Sequence, residues 1–306
     1  MTFLHISVQE FSTDVLHLCT TILQQNDKLH FVYLDIESFD NITTYDMLLQ
    51  YIFDDTKRKV KHLTVDIEIT DIENRLLRHL QNSGSLETIF FNNNDGNGFR
   101  LGPTSHTVQV DNIQTLHIVG CKNLITDSIL TTEIFLPSLR AASFYEVTLN
   151  ENTESFLLRH KSTILDLDIR CDITNINLPK IVQACENLTD LSINHGTHTL
   201  PELAHPNVKI IRLDNVGFKY RHQLPYILLN NVAFHIDEVI QQQEQTFPSL
   251  HTIQILDFHR GSFTHRSITF EIYQTWCTLF AKAECKNVKI FDIEMEFLHH
   301  DLISNH

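Results

Sequence analysis

The chain has 306 residues, 42% of them hydrophobic, with only eight glycines and seven prolines. It is long for one ordinary compact domain but suits an array that grows in one dimension, and its composition argues against disorder and against a turn-rich all-β fold. A net charge of −15 and a pI near 5.6 exclude nucleic acid and anionic membrane surfaces as natural partners, and favour a protein target, possibly basic.

In chain order, Phe3, Ile6 and Val8 open a series in which one apolar residue is followed by others three and five places on. This is the L-x-x-L-x-L wording of a leucine-rich repeat, in which a short strand supplies the apolar residues. Phe31, Leu34 and Ile36 follow, then Val60, Leu63 and Val65, then Leu86, Ile89 and Phe91. The fullest copy is residues 112–124, N-I-Q-T-L-H-I-V-G-C-K-N-L, with Ile113, Leu116 and Ile118, a small corner Cys121 and a closing Leu124. Beyond it lie Leu139, Ala142 and Phe144; Ile164, Leu167 and Ile169; Leu188, Leu191 and Ile193; and Val208, Ile211 and Leu213. Leu250, Ile253 and Ile255, then Val288, Phe291 and Ile293, finish the run. From position 3 to position 188 the starts recur every 24 to 29 residues, a regularity that a chance match does not sustain.

Between the strands the period changes to that of a helix. Residues 12–25 place Val15, Leu18, Cys19 and Ile22 on one face. Residues 44–55, 71–81 and 152–160 do the same with Leu48, Leu49, Ile52, Leu76, Leu77, Leu80, Leu157 and Leu158. Asp71 and Thr126-Asp127 are suited to helix N-caps, and Pro179 to a first helical turn. Strand, helix, parallel strand is a βα coil, and stacked coils share one elongated core.

After Val208 the spacing lengthens, with helical stretches at 225–245 (Ile227, Leu228, Val232, Ile236, Val239, Ile240) and 264–284 (Ile268, Phe270, Ile272, Trp276, Phe280). These read as enlarged repeats that close the core, with Trp276 as cap core. The expected fold is α/β, a leucine-rich repeat solenoid (horseshoe) with a concave parallel sheet and convex helices. It forms a single domain over 1–306, with irregular repeats at 1–59, regular ones at 60–223 and capping ones at 224–306.

The local wording adds a resemblance. Phe135-Leu136-Pro137-Ser138-Leu139 and Phe247-Pro248-Ser249-Leu250 introduce strands, as does Pro206-Asn207-Val208 after Leu200-Pro201-Glu202-Leu203. Phe156-Leu157-Leu158-Arg159-His160 forms a helix end before a strand, and the block from Phe247 to Phe258, with Trp276, Cys285 and Val288, closes the array. Over roughly residues 60 to 295 the chain resembles the leucine-rich repeat region of fungal F-box proteins, which is ribonuclease-inhibitor-like. That resemblance implies the substrate-recognition part of an F-box adaptor of a cullin-RING ubiquitin ligase. No L-P-x-E-I stretch is visible before the first repeats, so the ligase-core adaptor is expected as a partner only if an F-box is supplied.

In each strand the x positions point away from the core. They give an N-terminal patch of Tyr33, Asp35, Glu37, His62 and Asp66, with Glu68 just beyond, and a central apolar part of Phe90, His117, Val119 and Tyr145. A second acidic patch has Asp166, Asp168, Asp190 and Asp214, interspersed with Arg170 and Arg212. Asp166 and Asp190 should sit side by side, and unpaired like charges there would call for a cationic ligand. The plainer account is that acidic side chains keep an exposed sheet soluble.

No catalytic, cofactor-binding or metal-binding residue is expected. Carboxylates on an open sheet have no pocket to tune them. His195, His198 and His205 lack a fixed spacing, and His299-His300-Asp301 is a polar tail, so these read as surface histidines. The loop at 92–98, N-N-N-D-G-N-G, lacks the Gly-Lys-Ser/Thr of a phosphate cradle. Cysteines 19, 121, 171, 185, 277 and 285 include no C-x-x-C and read as small buried residues in a reducing compartment. The rival reading, an α/β enzyme with misread strands, would show glycine-rich strand-to-helix turns, and none is present. Residues 1–20 lack a basic n-region and carry Glu10 and Asp14, the sequons at Asn41 and Asn187 are attributed to chance, and no run of about 18 apolar residues occurs. A cytoplasmic or nuclear binding protein is the expectation.

Overall fold

The computed structural model describes residues 3–25, 28–39, 42–53, 60–67, 79–81, 84–93, 108–120, 134–172, 176–194, 200–214, 225–256 and 270–292. The protein is α/β, and its strands pair in parallel throughout the described residues. It divides into two compact units, 1–164 with 171–177, and 165–170 with 178–306.

The first unit runs β1 (Phe3–Phe11), α1 (Thr13–Gln24), β2 (Phe31–Phe39), α2 (Ile42–Phe53), β3 (His62–Ile67) and β4 (Thr88–Asn93). It continues with β5 (Val108–Gln109), β6 (Thr115–Gly120), β7 (Ile134–Phe135), β8 (Ala141–Thr148) and α3 (Glu151–Arg159). Its sheet order is β1-β2-β3-β4-β6-β8, and β5 pairs β7 separately. Helix starts follow local chemistry. The Ser12 side chain accepts from Val15 N–H before α1, and Asp14 in the first turn suits the positive helix end. Asn150 and Thr153 form a reciprocal capping box before α3.

The second unit holds β9 (Asp166–Asp172, of which 171 and 172 belong to the first unit), α4 (Leu178–Ala184) and β10 (Asp190–Asn194). A 3-10 turn (Leu200–Leu203), β11 (Ile210–Asp214), α5 (Pro225–Thr246), β12 (Thr252–Leu256), α6 (Phe270–Cys285) and β13 (Lys289–Asp292) follow. Its sheet order is β9-β10-β11-β12-β13. Pro179 lies in the first turn of α4, where its missing N–H costs nothing.

One backbone joint repeats. The carbonyl just ahead of a strand accepts two consecutive N–H groups from the next coil. Glu87 carbonyl takes Gln114 and Thr115 at 2.8 and 3.1 Å, and Thr189 carbonyl takes Lys209 and Ile210 at 2.7 and 3.1 Å. His30, Lys61 and Gln114 in the first unit, and Leu165 and Lys209 in the second, act in the same way.

The eight apolar triplets that begin at Val60, Leu86, Ile113, Leu139, Ile164, Leu188, Val208 and Leu250 are all buried. The first two triplets are offset. Phe3 is 50% and Phe31 43% exposed, whereas Leu4 and Ile6, then Leu29, Val32, Leu34 and Ile36, form the core. Register confirms the shift, because Leu34 rather than Ile36 lies beside Val65. The cause is the strand period of two: β1 and β2 are already extended at Phe3 and Phe31, so a residue three places before a core position faces the other way. At the far end Ile290, not Phe291, registers with Ile253, and Phe291 falls beside Gln254. Asn287, at φ 56, turns the chain just before that strand.

Helix α1 also differs from its expected face. Leu16, Cys19, Thr20 and Leu23 are buried, and Leu18 is 61% exposed. Leu48, Leu49, Ile52, Leu80 and Leu157 are buried as expected, while Leu158 is only half-buried. Cys19, Cys171 and Cys185 are buried, but Cys277 and Cys285 are exposed on α6, on the side away from Trp276 and Leu279. Cys121, Leu124, the caps at Asp71 and Thr126-Asp127, Leu76, Leu77, and most of the 92–98 loop lie outside the described residues. Among the described residues no helix is long and apolar enough to cross a membrane.

Candidate partner-binding faces of the two sheets

In the second unit the outward row of β9 to β12 is Asp168, Ser192, Arg212 and Gln254, with Asp166 beside Asp190 one row before it. The expected Asp166–Asp190 neighbours are therefore in register, but they are not unpaired. Arg212 donates from Nη2 to Asp190 Oδ1 at 2.8 Å, places Nη1 3.6 Å from Asp166 Oδ1, and donates from Nε to Gln254 Oε1 at 3.0 Å. Arg170 grips Asp168 with two hydrogen bonds, 2.8 and 2.7 Å, and reaches Asp214 at 3.7 Å. Thr189 Oγ1 donates to the second Asp190 oxygen at 2.8 Å.

Two guanidiniums thus hold four carboxylates from three strands in two groups, Arg170 with Asp168 and Asp214 and Arg212 with Asp190 and Asp166. The like-charge repulsion between these carboxylates is offset in part within the chain. Asp214 and Ser192 are buried beneath the longer side chains. The Asp166 carboxyl is pushed up to about 6, by burial first and by Asp190 and Asp168 against the opposing pull of Arg212 and Arg170.

The first unit presents a different surface. Its outward rows, in register, are Phe3-Phe31-His62-Thr88-Thr115, then His5-Tyr33-Thr64-Phe90-His117-Ser143, then Ser7-Asp35-Asp66-Asn92-Val119-Tyr145. Rings pair across strands: Phe31 stacks on His62 at 4.4 Å, His5 meets Tyr33 edge-on at 4.5 Å, and Phe90 lies 5.6 Å from His117. Ser7 Oγ donates to Asp35 and Asn92 Nδ2 to Asp66, each at 2.7 Å. Burial, then Asp66 and Asp35, raise the Tyr33 phenol above its ordinary value.

Tyr33, Asp35, Asp66, Phe90, His117 and Tyr145 therefore share one face in the first unit, and Asp166, Asp168, Arg170, Asp190, Arg212 and Asp214 share one in the second. The Glu37 side chain and Glu68 lie outside the described residues, as do His195, His198, His299, His300 and Asp301. The L-x-x-L-x-L spacing places Phe3 and Phe31 in the core, but they belong to the outward face. The alternation of Leu4, Ile6 and Val8, and of Val32, Leu34 and Ile36, carries the signal that would have found them. His205 is not a surface histidine. It is buried, its Nε2 donates to Cys185 carbonyl at 3.0 Å, and its Nδ1 accepts from Asn207 N–H at 3.2 Å. Among the described residues no group of three His, Cys, Asp or Glu side chains is placed to hold a metal ion. Comparison with family models and with curated proteins finds no match for this chain.

Proposed function

We propose that the chain is a protein-binding leucine-rich repeat scaffold, a horseshoe whose concave sheet meets a partner protein, rather than an enzyme. The observation that carries this reading is the state of the outward rows. Their aromatic rings and charged groups are already held by neighbours across strands, so little ordering remains to be lost on binding. A surface needed only for solubility does not require paired rings or two-strand arginine clamps. The acidic excess on both faces supports a basic partner, in the cytoplasm or nucleus.

The resemblance to fungal F-box proteins supports, as one version of this reading, a role as substrate receptor of a cullin-RING ubiquitin ligase. The other version is an interaction protein with no ligase role. Affinity capture with the full chain tests the common claim. Partners should be lost when Tyr33→Ala and Phe90→Ala, or Asp166→Asn and Gln254→Ala, are introduced, and kept when exposed Leu18→Ser or Phe234→Ser is introduced instead. Partners retained by all face variants would sink the proposal. Fusion to an F-box, followed by co-purification with the ligase-core adaptor and ubiquitination of the captured partner, separates the two versions.

A further inference from the structure

The core of the first unit closes unevenly at β1. Its inward residues Leu4, Ile6 and Val8 lie beside Val32, Leu34 and Ile36 of β2. Leu34 and Ile36 are fully buried, whereas Val8 is only half-buried. Among the described residues β1 has a strand on one side only, β2, so along Phe3–Val8 the opposite edge turns its main-chain polar groups outward. Proteins protect such an edge with lysine, proline or an inward charge, or by keeping the strand short. β1 has nine residues, no proline and no lysine, and its inward positions from Leu4 to Val8 are all apolar. Its sequence does nothing to resist pairing.

Helix α1 leaves an apolar strip at the same end. Leu16, Cys19, Thr20 and Leu23 face the core, and Val15, Leu18 and Ile22 lie about a third of a turn away from them. In a right-handed crossover from β1 through α1 to β2, that offset turns the strip away from α2, towards the side of the open edge. Exposure agrees, with Leu18 61% exposed and Val15 half-buried. We infer that two copies of this chain join here about a two-fold axis normal to the sheet, β1 antiparallel to β1 and α1 beside α1. A second copy supplies an open edge and the same apolar strip together, and the two-fold sets inward row against inward row. Charge permits the pairing. Of a net −15, β1 and α1 carry only Glu10 and Asp14, so two acidic chains meet where each is nearly neutral. The inference does not rest on the scaffold reading, and edge-to-edge joining leaves the outward faces uncovered.

Sedimentation of the full chain should give a mass near twice 35.6 kDa that falls to the single-chain value on dilution. Val8→Lys puts a charge on the inward side of the edge, and Leu18→Glu puts one on the strip. Each should weaken the pairing about 10-fold or more, and Phe234→Glu should change it less than about 2-fold, although Phe234 is 67% exposed on α5 of the second unit. Amide hydrogens of Phe3–Val8 should exchange more slowly in the dimer than in the dilute single chain. Leu18 is exposed, so Leu18→Glu keeps the fold, and circular dichroism checks both variants. A chain that stays single at about 100 µM, or a dimer indifferent to both Val8→Lys and Leu18→Glu, would overturn the inference. Edge amides that exchange alike at both concentrations would do the same.

Discussion

The backbone N–H of Leu136 donates to Nε2 of His160, 3.0 Å away and 24 residues later in the chain. Nδ1 of the same ring lies 2.8 Å from Phe156 carbonyl, so the ring is neutral and carries its proton on Nδ1. Burial lowers its pKa, opposed by the Phe156 hydrogen bond and assisted by Arg159. In the second unit His205 is lowered in the same way, by burial against the Cys185 hydrogen bond. A lowered folded value means the unfolded chain binds protons first, so the stability these rings contribute is complete above about pH 6.5 and is lost as pH falls through the folded value. His160→Leu should cost about 1–3 kcal/mol at pH 7.5 by orphaning the Leu136 N–H, and should flatten the loss of stability between pH 7.5 and 5. Urea melts at the two pH values measure both, and an unchanged acid slope in the variant would contradict the assignment.

Asp166 works with the opposite sign. Its folded value of about 6 exceeds the ordinary carboxylate value of 3.8, so the stability it contributes is present below about pH 4 and lost as pH rises through 6. Asp166→Asn should therefore stabilise the protein at pH 8 and make little difference at pH 4. The gain should be about 1 kcal/mol, discounted for the solvent that reaches its 42% exposed side chain. No gain at pH 8 would mean that Arg212 outweighs the cost of burying the carboxylate.

Arg212 holds Asp190 from one side and Asp166 from the other. Arg212→Met keeps the stem but strands two neighbouring carboxylates, and should cost about 1–2 kcal/mol, between the values for exposed and buried pairs. Adding Asp190→Asn should recover most of that loss. A double variant no more stable than Arg212→Met would show that Asp190 is not the coupled partner. Denaturant melts at low and high salt supply the comparison.

The register of β2 makes a sharp contrast between residues two places apart. Leu29 is buried and Phe31 is exposed. Leu29→Ala should cost about 2–4 kcal/mol, whereas Phe31→Ala should cost less than about 1 kcal/mol despite removing a larger side chain. Reversal of that order in thermal melts would restore the register expected from L-x-x-L-x-L.

The repeat period and strand positions were legible because buried apolar residues recur with it from Val60 to Ile255. Face assignments were less legible where two patterns share residues. In α1 the stripe Val15-Leu18-Cys19-Ile22 and the stripe Leu16-Cys19-Thr20-Leu23 overlap at Cys19 and differ by one step. The second is the buried one, and Thr20 tolerates burial because its hydroxyl donates to His17 carbonyl at 2.9 Å. The acidic face was legible as positions but not as a network, since the reach of Arg170 and Arg212 across strands depends on side-chain conformation. His160 and His205 carry no sequence signal of burial, because each ring is tied to a main-chain group of the preceding coil, the Leu136 N–H and the Cys185 carbonyl respectively, as well as to one of its own.

The doubled carbonyl joint is made entirely by main-chain atoms, and the residues that supply it are as unlike as His30, Glu87, Leu165 and Lys209. The joint thus depends on no particular side chain, so a coil removed or added whole leaves the same carbonyl and N–H groups facing each other at the seam. Shorter or longer versions of this protein should therefore be built with their breakpoints at those carbonyls.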